Sequence, residues 1–139
     1  MTIEFPVVGQ VFDYHYLWKW QAVKGETEGR NMRPSCVAVV TANSEGDKIV
    51  FIAPVTSKSP GHDRQALVVP TIEAKRAGLD AAIQLWVIVD ELNVDYPDQS
   101  FAIEARTPRG SFSHAFMNEI VNSIHAIRKR GKLTLSRRD

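Results

Sequence analysis

Between Gly9 and Trp18 the sequence GQVFDYHYLW is rich in aromatic and β-branched residues, with Val11, Asp13 and His15 on one face of an extended chain and Phe12, Tyr14 and Tyr16 on the other. This predicts a long first strand. Lys19 to Met32 shows no apolar period and contains Gly25 and Gly29, so it reads as a long polar loop. RPSCVAVVT (33–41) and KIVFIAPVT (48–56) are apolar runs joined by NSEGD, which predicts a hairpin whose proline, Pro34, sits at a strand start. Further on, Gln65 to Pro70 reads as a short strand, Thr71 to Leu79 as a turn or two of helix, Gln84 to Leu92 as a strong strand, NVDYPDQS as a turn, and Phe101 to Glu104 as a last short strand. Ser113 can cap a final helix in which Phe116, Ile120, Ile124 and Ile127 recur at helical spacing, with Arg128, Lys129 and Arg130 in the last turn and Gly131 as the stop. Short strands with few helices between them argue for an α+β, mainly β fold: a small, curved antiparallel barrel with the C-terminal helix packing its isoleucine stripe over it.

Composition narrows the class. The chain has 139 residues, 44% hydrophobic and 24% charged, which fits one globular domain with a real core. No apolar run approaches the roughly 20 residues of a membrane span, and the N-terminus has no basic segment ahead of an apolar one, so a cytoplasmic protein is expected. The single cysteine, Cys36, excludes an intramolecular disulfide framework and reads as a small buried hydrophobe. The net charge is only +1, but residues 128–139 carry six basic groups and one acidic group, leaving a net −4 on the preceding 127 residues. The expected organisation is therefore a domain over 1–131 and a basic tail over 132–139, which suits an anionic partner or, more plainly, the helix dipole.

The four histidines show no HExxH pairing, there is no CxxC and no phosphate-binding glycine loop, so no metal and no cofactor are expected. What remains is a polar cluster at strand ends: Glu26 and Glu28 in the long loop, Arg33 entering the second strand, and Thr56 and Ser57 leaving the third. If the two strands pair through NSEGD, Arg33 and Thr56 are neighbours. A carboxylate, a forked guanidinium and a hydroxyl are the parts needed to move a proton and stabilise a pentavalent phosphate. The plainer alternative is a loop-anchoring salt bridge between Glu28 and Arg33.

The stretches GETEGRNMRPSCVAVV (25–40) and IAPVTSKSP (52–60), preceded by GQVFDY (9–14), resemble the PemK/MazF family of toxins over roughly residues 9–92. That resemblance implies an SH3-like barrel, a homodimer, a cognate antitoxin, and a metal-independent endoribonuclease that cuts single-stranded RNA through attack of a 2'-OH on the adjacent phosphate. It implies Glu28 as base, Arg33 as acid or transition-state stabiliser and Thr56 as phosphate donor, with Ser57, Lys58, Arg30 and Trp20 as RNA contacts. Glu26, Asp90 and Glu91 are alternative bases, and Tyr14, Tyr16 and Trp18 are further stacking candidates, with Tyr14 and one tryptophan expected in the core. The basic tail is expected to add RNA affinity without chemistry. Two other functions fit the same reading: a gyrase-inhibiting toxin like CcdB, disfavoured by the SRRD ending, and a catalytically silent SH3-like module that binds nucleic acid.

Overall fold

Both faces of the first strand have to be buried, and the fold supplies a separate core for each. In the computed structural model, which describes residues 4–103 and 106–138, β1 (Gln10–Tyr14) sends Val11 into one core and Phe12 and Tyr14 into the other. The next strand repeats the division, with Cys36 and Ala38 on the first side and Val37 on the second. Strands covered on both faces read as continuous apolar runs, which is why CVAVV lacks alternation.

The elements run β1, α1 (Lys19–Val23), β2 (Arg33–Ala42), β3 (Lys48–Thr56), β4 (Ala66–Val68), α2 (Thr71–Arg76), β5 (Trp86–Ile88), β6 (Glu91–Asp95), β7 (Gly110–Ser111), α3 (His114–Lys129) and β8 (Thr134–Arg137). The fold is α+β and mainly β, a curved sheet with a C-terminal helix. β2 and β3 pair antiparallel with Ser35 opposite Pro54, a register that carries Arg33 and Thr56 to the same end. The barrel expectation is corrected. The strands follow the open path β4-β5-β3-β2-β1-β7, and the two end strands do not pair with each other. The outer edge of β3 is divided between β5 near Thr56 and β6 near Ile52, so a single expected strand over 84–92 is two short ones, and Asn93 to Asp95 continue the sheet instead of turning.

α3 begins where expected. The Ser113 hydroxyl accepts from the Phe116 N–H at 3.2 Å, and the buried Glu73 carboxylate of α2 accepts from the Ser113 N–H at 2.8 Å, placing negative charge at the positive helix end. Phe116, Ile120, Ile124 and Ile127 are all buried in the first core, each contributing roughly 1.5–3 kcal/mol by leaving water. Phe101 and Ala102 form a bend and Ile103 is irregular, so no strand forms there, and Glu104 lies outside the described residues.

The basic tail is also corrected. Residues 134–137 are β8, paired parallel to β6, with Leu92 opposite Leu135. Arg138 then folds back to donate to the His15 carbonyl at 2.6 Å, the Tyr14 hydroxyl at 3.1 Å and Asn93 Oδ1 at 3.2 Å. Along β6 the buried Glu91, Asn93 and Asp95 alternate with Leu92 and Val94. Asp95 accepts from the Tyr14 hydroxyl at 2.7 Å, Glu91 from the Tyr16 hydroxyl at 3.0 Å, and Asn93 exchanges two hydrogen bonds with the backbone of Leu17.

Two outcomes follow from this seam. Burial, reinforced by the charge of Asp95 for Tyr14 and of Glu91 for Tyr16, raises both phenol pKa values well above the ordinary one. A raised pKa contributes stability that is whole below the unfolded value of about 10 and is lost as pH rises beyond it. An absorbance titration should therefore show Tyr14 and Tyr16 ionising only together with alkaline unfolding, and Tyr16→Phe should shift that unfolding to higher pH. Deleting residues 132–138 should abolish cooperative unfolding, and Arg138→Ala alone should cost about 2 kcal/mol in a denaturant melt.

Candidate nucleic-acid interface

The β2–β3 hairpin brings Arg33 and Thr56 to the wall of one open cavity of about 500 Å³, together with Ser57, Lys58, Trp18 and Trp20. Of the seven residues assigned to the site from sequence, five line this space. Arg33 starts β2 opposite Tyr14, half-buried, with its guanidinium 5.0 Å from the centre of the Trp18 ring. It has no carboxylate partner among the described residues, and burial lowers its pKa from the ordinary arginine value. The salt bridge to Glu28 is not formed. The Thr56 hydroxyl accepts from the Lys58 N–H at 3.1 Å, which turns the chain out of β3 and sets Ser57 and Lys58 on the cavity lip.

Trp18 and Trp20 enter through α1. Gln21, buried, accepts from the Trp18 N–H at 3.0 Å and fixes the start of that helix. Trp20 is 47% exposed, with Arg30 4.8 Å and Lys24 5.2 Å from its ring centre. Such cation–aromatic contacts hold flexible cations over an indole without neutralising them. Trp18 is half-buried, so no tryptophan is fully buried, whereas Tyr14 is. A smaller cavity of about 150 Å³ shares Trp18, Trp20 and Arg33 and adds Arg30 and Asn31. Arg30 is paired with Glu26 at 2.8 Å, and that hydrogen bond, with the charge of Arg30, lowers the Glu26 pKa.

Arg64 was missed from sequence. It lines the main cavity, stands 5.9 Å from the Trp18 ring centre, and bonds Asp90 at 2.8 Å and Glu91 at 3.0 Å. Burial opposes its charge, but the hydrogen bonds and charges of Asp90 and Glu91 prevail and raise its pKa. Glu91, its side chain 5% exposed, also accepts from the Lys19 N–H at 3.1 Å. Nothing local in the sequence marks an arginine whose partners lie 26 and 27 residues on.

Glu28 is not part of this group. It lines a separate cavity of about 370 Å³ with His15, Thr27, Phe101 and Arg138. The reason is Gly29, whose α-carbon packs against the His15 and Tyr16 backbone so closely that any side chain there would collide with their carbonyls. The loop is thereby turned over the end of β1 and away from Arg33. Cys36 is buried and its thiol pKa is pushed up by burial, and His114 and His125 are exposed on α3. Among the described residues no three His, Cys, Asp or Glu side chains cluster as metal ligands, and no helix is long and apolar enough to cross a membrane.

The main cavity thus offers three cations, several hydroxyls and two indoles, but no carboxylate among the described lining residues. By its chemistry such a set can meet phosphate with charge and an unstacked base with an aromatic face. A scan against protein-family models finds no match for this chain, and a search of curated proteins finds none either.

Arg64→Ala should leave Glu91 buried without its guanidinium and cost about 2 kcal/mol in a denaturant melt, with Arg64→Lys recovering part of the loss. An unchanged midpoint for Arg64→Ala would mean the contact contributes nothing.

Proposed function

We propose that this protein is an RNA-cleaving toxin resembling the PemK/MazF family, with the Arg33 cavity as its phosphodiester site, acting on single-stranded RNA in partnership with an antitoxin. The observation that carries the reading is the convergence of the Arg33 guanidinium, without a carboxylate partner among the described residues, with the Thr56 and Ser57 strand end in a cavity walled by tryptophan. In this arrangement the scissile phosphate sits on Arg33, and Thr56 and Ser57 donate to its non-bridging oxygens. The 2'-oxygen forms a bond to phosphorus as it loses its proton, the bond to the 5'-oxygen breaks, and the leaving oxygen takes up a proton, giving a 2',3'-cyclic phosphate and a 5'-OH. Because Glu28 lines a different cavity, Asp90 becomes the acid–base candidate, a carboxylate bonded to the cavity-lining Arg64. DNA, lacking the 2'-OH, is bound but not cut.

A second reading, an RNA-binding module without catalysis, is favoured by the absence of a carboxylate from the described lining of the cavity. Incubation with a long single-stranded RNA separates the two. The toxin reading expects cleavage that persists in chelator, cyclic phosphate ends, and a loss of about 100-fold or more for a folded Arg33→Ala, with poor rescue by lysine. Asp90→Asn should abolish cutting while RNA binding persists. Binding without cutting by the wild type selects the second reading, and full activity in Arg33→Ala overturns the site.

A further inference from the structure

The cavity that holds Glu28 has the parts of a base-reading site. Phe101 lines it and is 98% exposed, on a chain segment whose neighbours Ala102 and Ile103 are buried in the second core. A fully wet phenyl ring anchored by two buried neighbours is a platform awaiting a flat partner. Glu28 is exposed, and no hydrogen bond or ion pair holds its carboxylate among the described residues. Its backbone is nonetheless fixed on both sides, by the close packing of Gly29 on His15 and by Arg138 donating to the Thr27 carbonyl at 3.3 Å. A free carboxylate on a pinned backbone and an exposed aromatic residue in the same cavity suit a planar ligand that uses both.

We infer that this second cavity is a guanine-reading subsite for single-stranded RNA, in which the base stacks on Phe101 and presents its Watson–Crick edge to Glu28. Guanine is the only common base with two adjacent donors on that edge, N1–H and the 2-amino group, which match the two oxygens of a carboxylate. Adenine would set its N1 lone pair against the carboxylate, and uracil offers a single N–H between two acceptors. The positive charge of Arg138 in the same cavity suits the O6 and N7 acceptors of guanine. The smaller cavity containing Arg30 and Asn31 shares Trp18, Trp20 and Arg33 with the main cavity, and the chain leads from it through Gly29 directly to Glu28. The inference rests on the RNA reading above, and it gives Glu28 the work of recognition in place of catalysis.

The test uses the full chain and short uridine-tract RNAs, 2'-O-methylated so that they cannot be cut, carrying a central guanine, adenine or inosine. Fluorescence anisotropy should give about tenfold tighter binding for guanine than for adenine, with inosine, which lacks the 2-amino group, between them. Glu28→Gln should remove the preference while uridine-tract binding stays, and Phe101→Ala should weaken binding of all base-carrying RNAs, with Phe101→Tyr restoring it. Both residues are exposed, and thermal melts will confirm that the variants fold. Equal binding of guanine and adenine by the wild type, or a preference that survives Glu28→Gln, overturns the subsite. Binding of none of these RNAs, uridine tracts included, overturns the RNA reading itself.

Discussion

Three polar side chains, Glu91, Asn93 and Asp95, point from one face of β6 into the interior, and the rest of the molecule is arranged so that each finds a partner there. An unmatched carboxylate at that depth would cost several kcal/mol, so the chain has to deliver donors to the same place. Two come from the tyrosines of β1 and its extension, one from the Leu17 backbone, and the charged ones from Arg64 and Arg138. The elements that carry these donors are also the elements that border the candidate sites. Arg64 faces the Arg33 cavity, Arg138 faces the Glu28 cavity, and Lys19 begins the helix that presents Trp20.

The seam also explains why charge is distributed as it is around the cavities. Arg64 and Arg138 are held by interior acceptors and serve both structure and surface. Among the described residues Arg33 is held only against an aromatic ring, which leaves its positive charge available to a ligand. A guanidinium already pinned by geometry but not by a counter-charge loses little on meeting a phosphate, because the ordering has been done by the fold.

How much of this was written legibly in the sequence depends on the range of each interaction. The hairpin was readable because its apolar runs and the NSEGD turn are local, and from it the meeting of Arg33 and Thr56 followed. The cap at Ser113 and the stripe from Phe116 to Ile127 were readable for the same reason. β6 was legible only in part: Glu91 and Leu92 read as the end of a strand, but Asn93 to Asp95 read as a turn because of the YPDQS that follows, and only the distant tyrosines reveal that the polar face is the buried one. Residues 132–138 misled in a similar way: Arg137 and Arg138 suggest a solvated run, whereas pairing with β6 makes it a strand. Glu28 was grouped with Arg33, whereas it lines the other cavity, and the decisive fact, the contact of Gly29 with the end of β1, is a steric one between segments that share no pattern.

The hydrogen bond from Arg138 to the Tyr14 hydroxyl joins residues 124 apart, and the one from Tyr14 to Asp95 joins residues 81 apart. Closing loops of that span draws on chain entropy before any contact repays it, and proteins dominated by such pairings cross their folding barrier slowly. β8 pairs with a strand more than forty residues earlier, so the hairpin of β2 and β3 is suited to form first and the seam last. Until that late step the segment that carries Trp18, Trp20 and Glu28 lacks the hydrogen bonds that β6 and Arg138 give it, and a half-folded chain holds its central hairpin without either cavity.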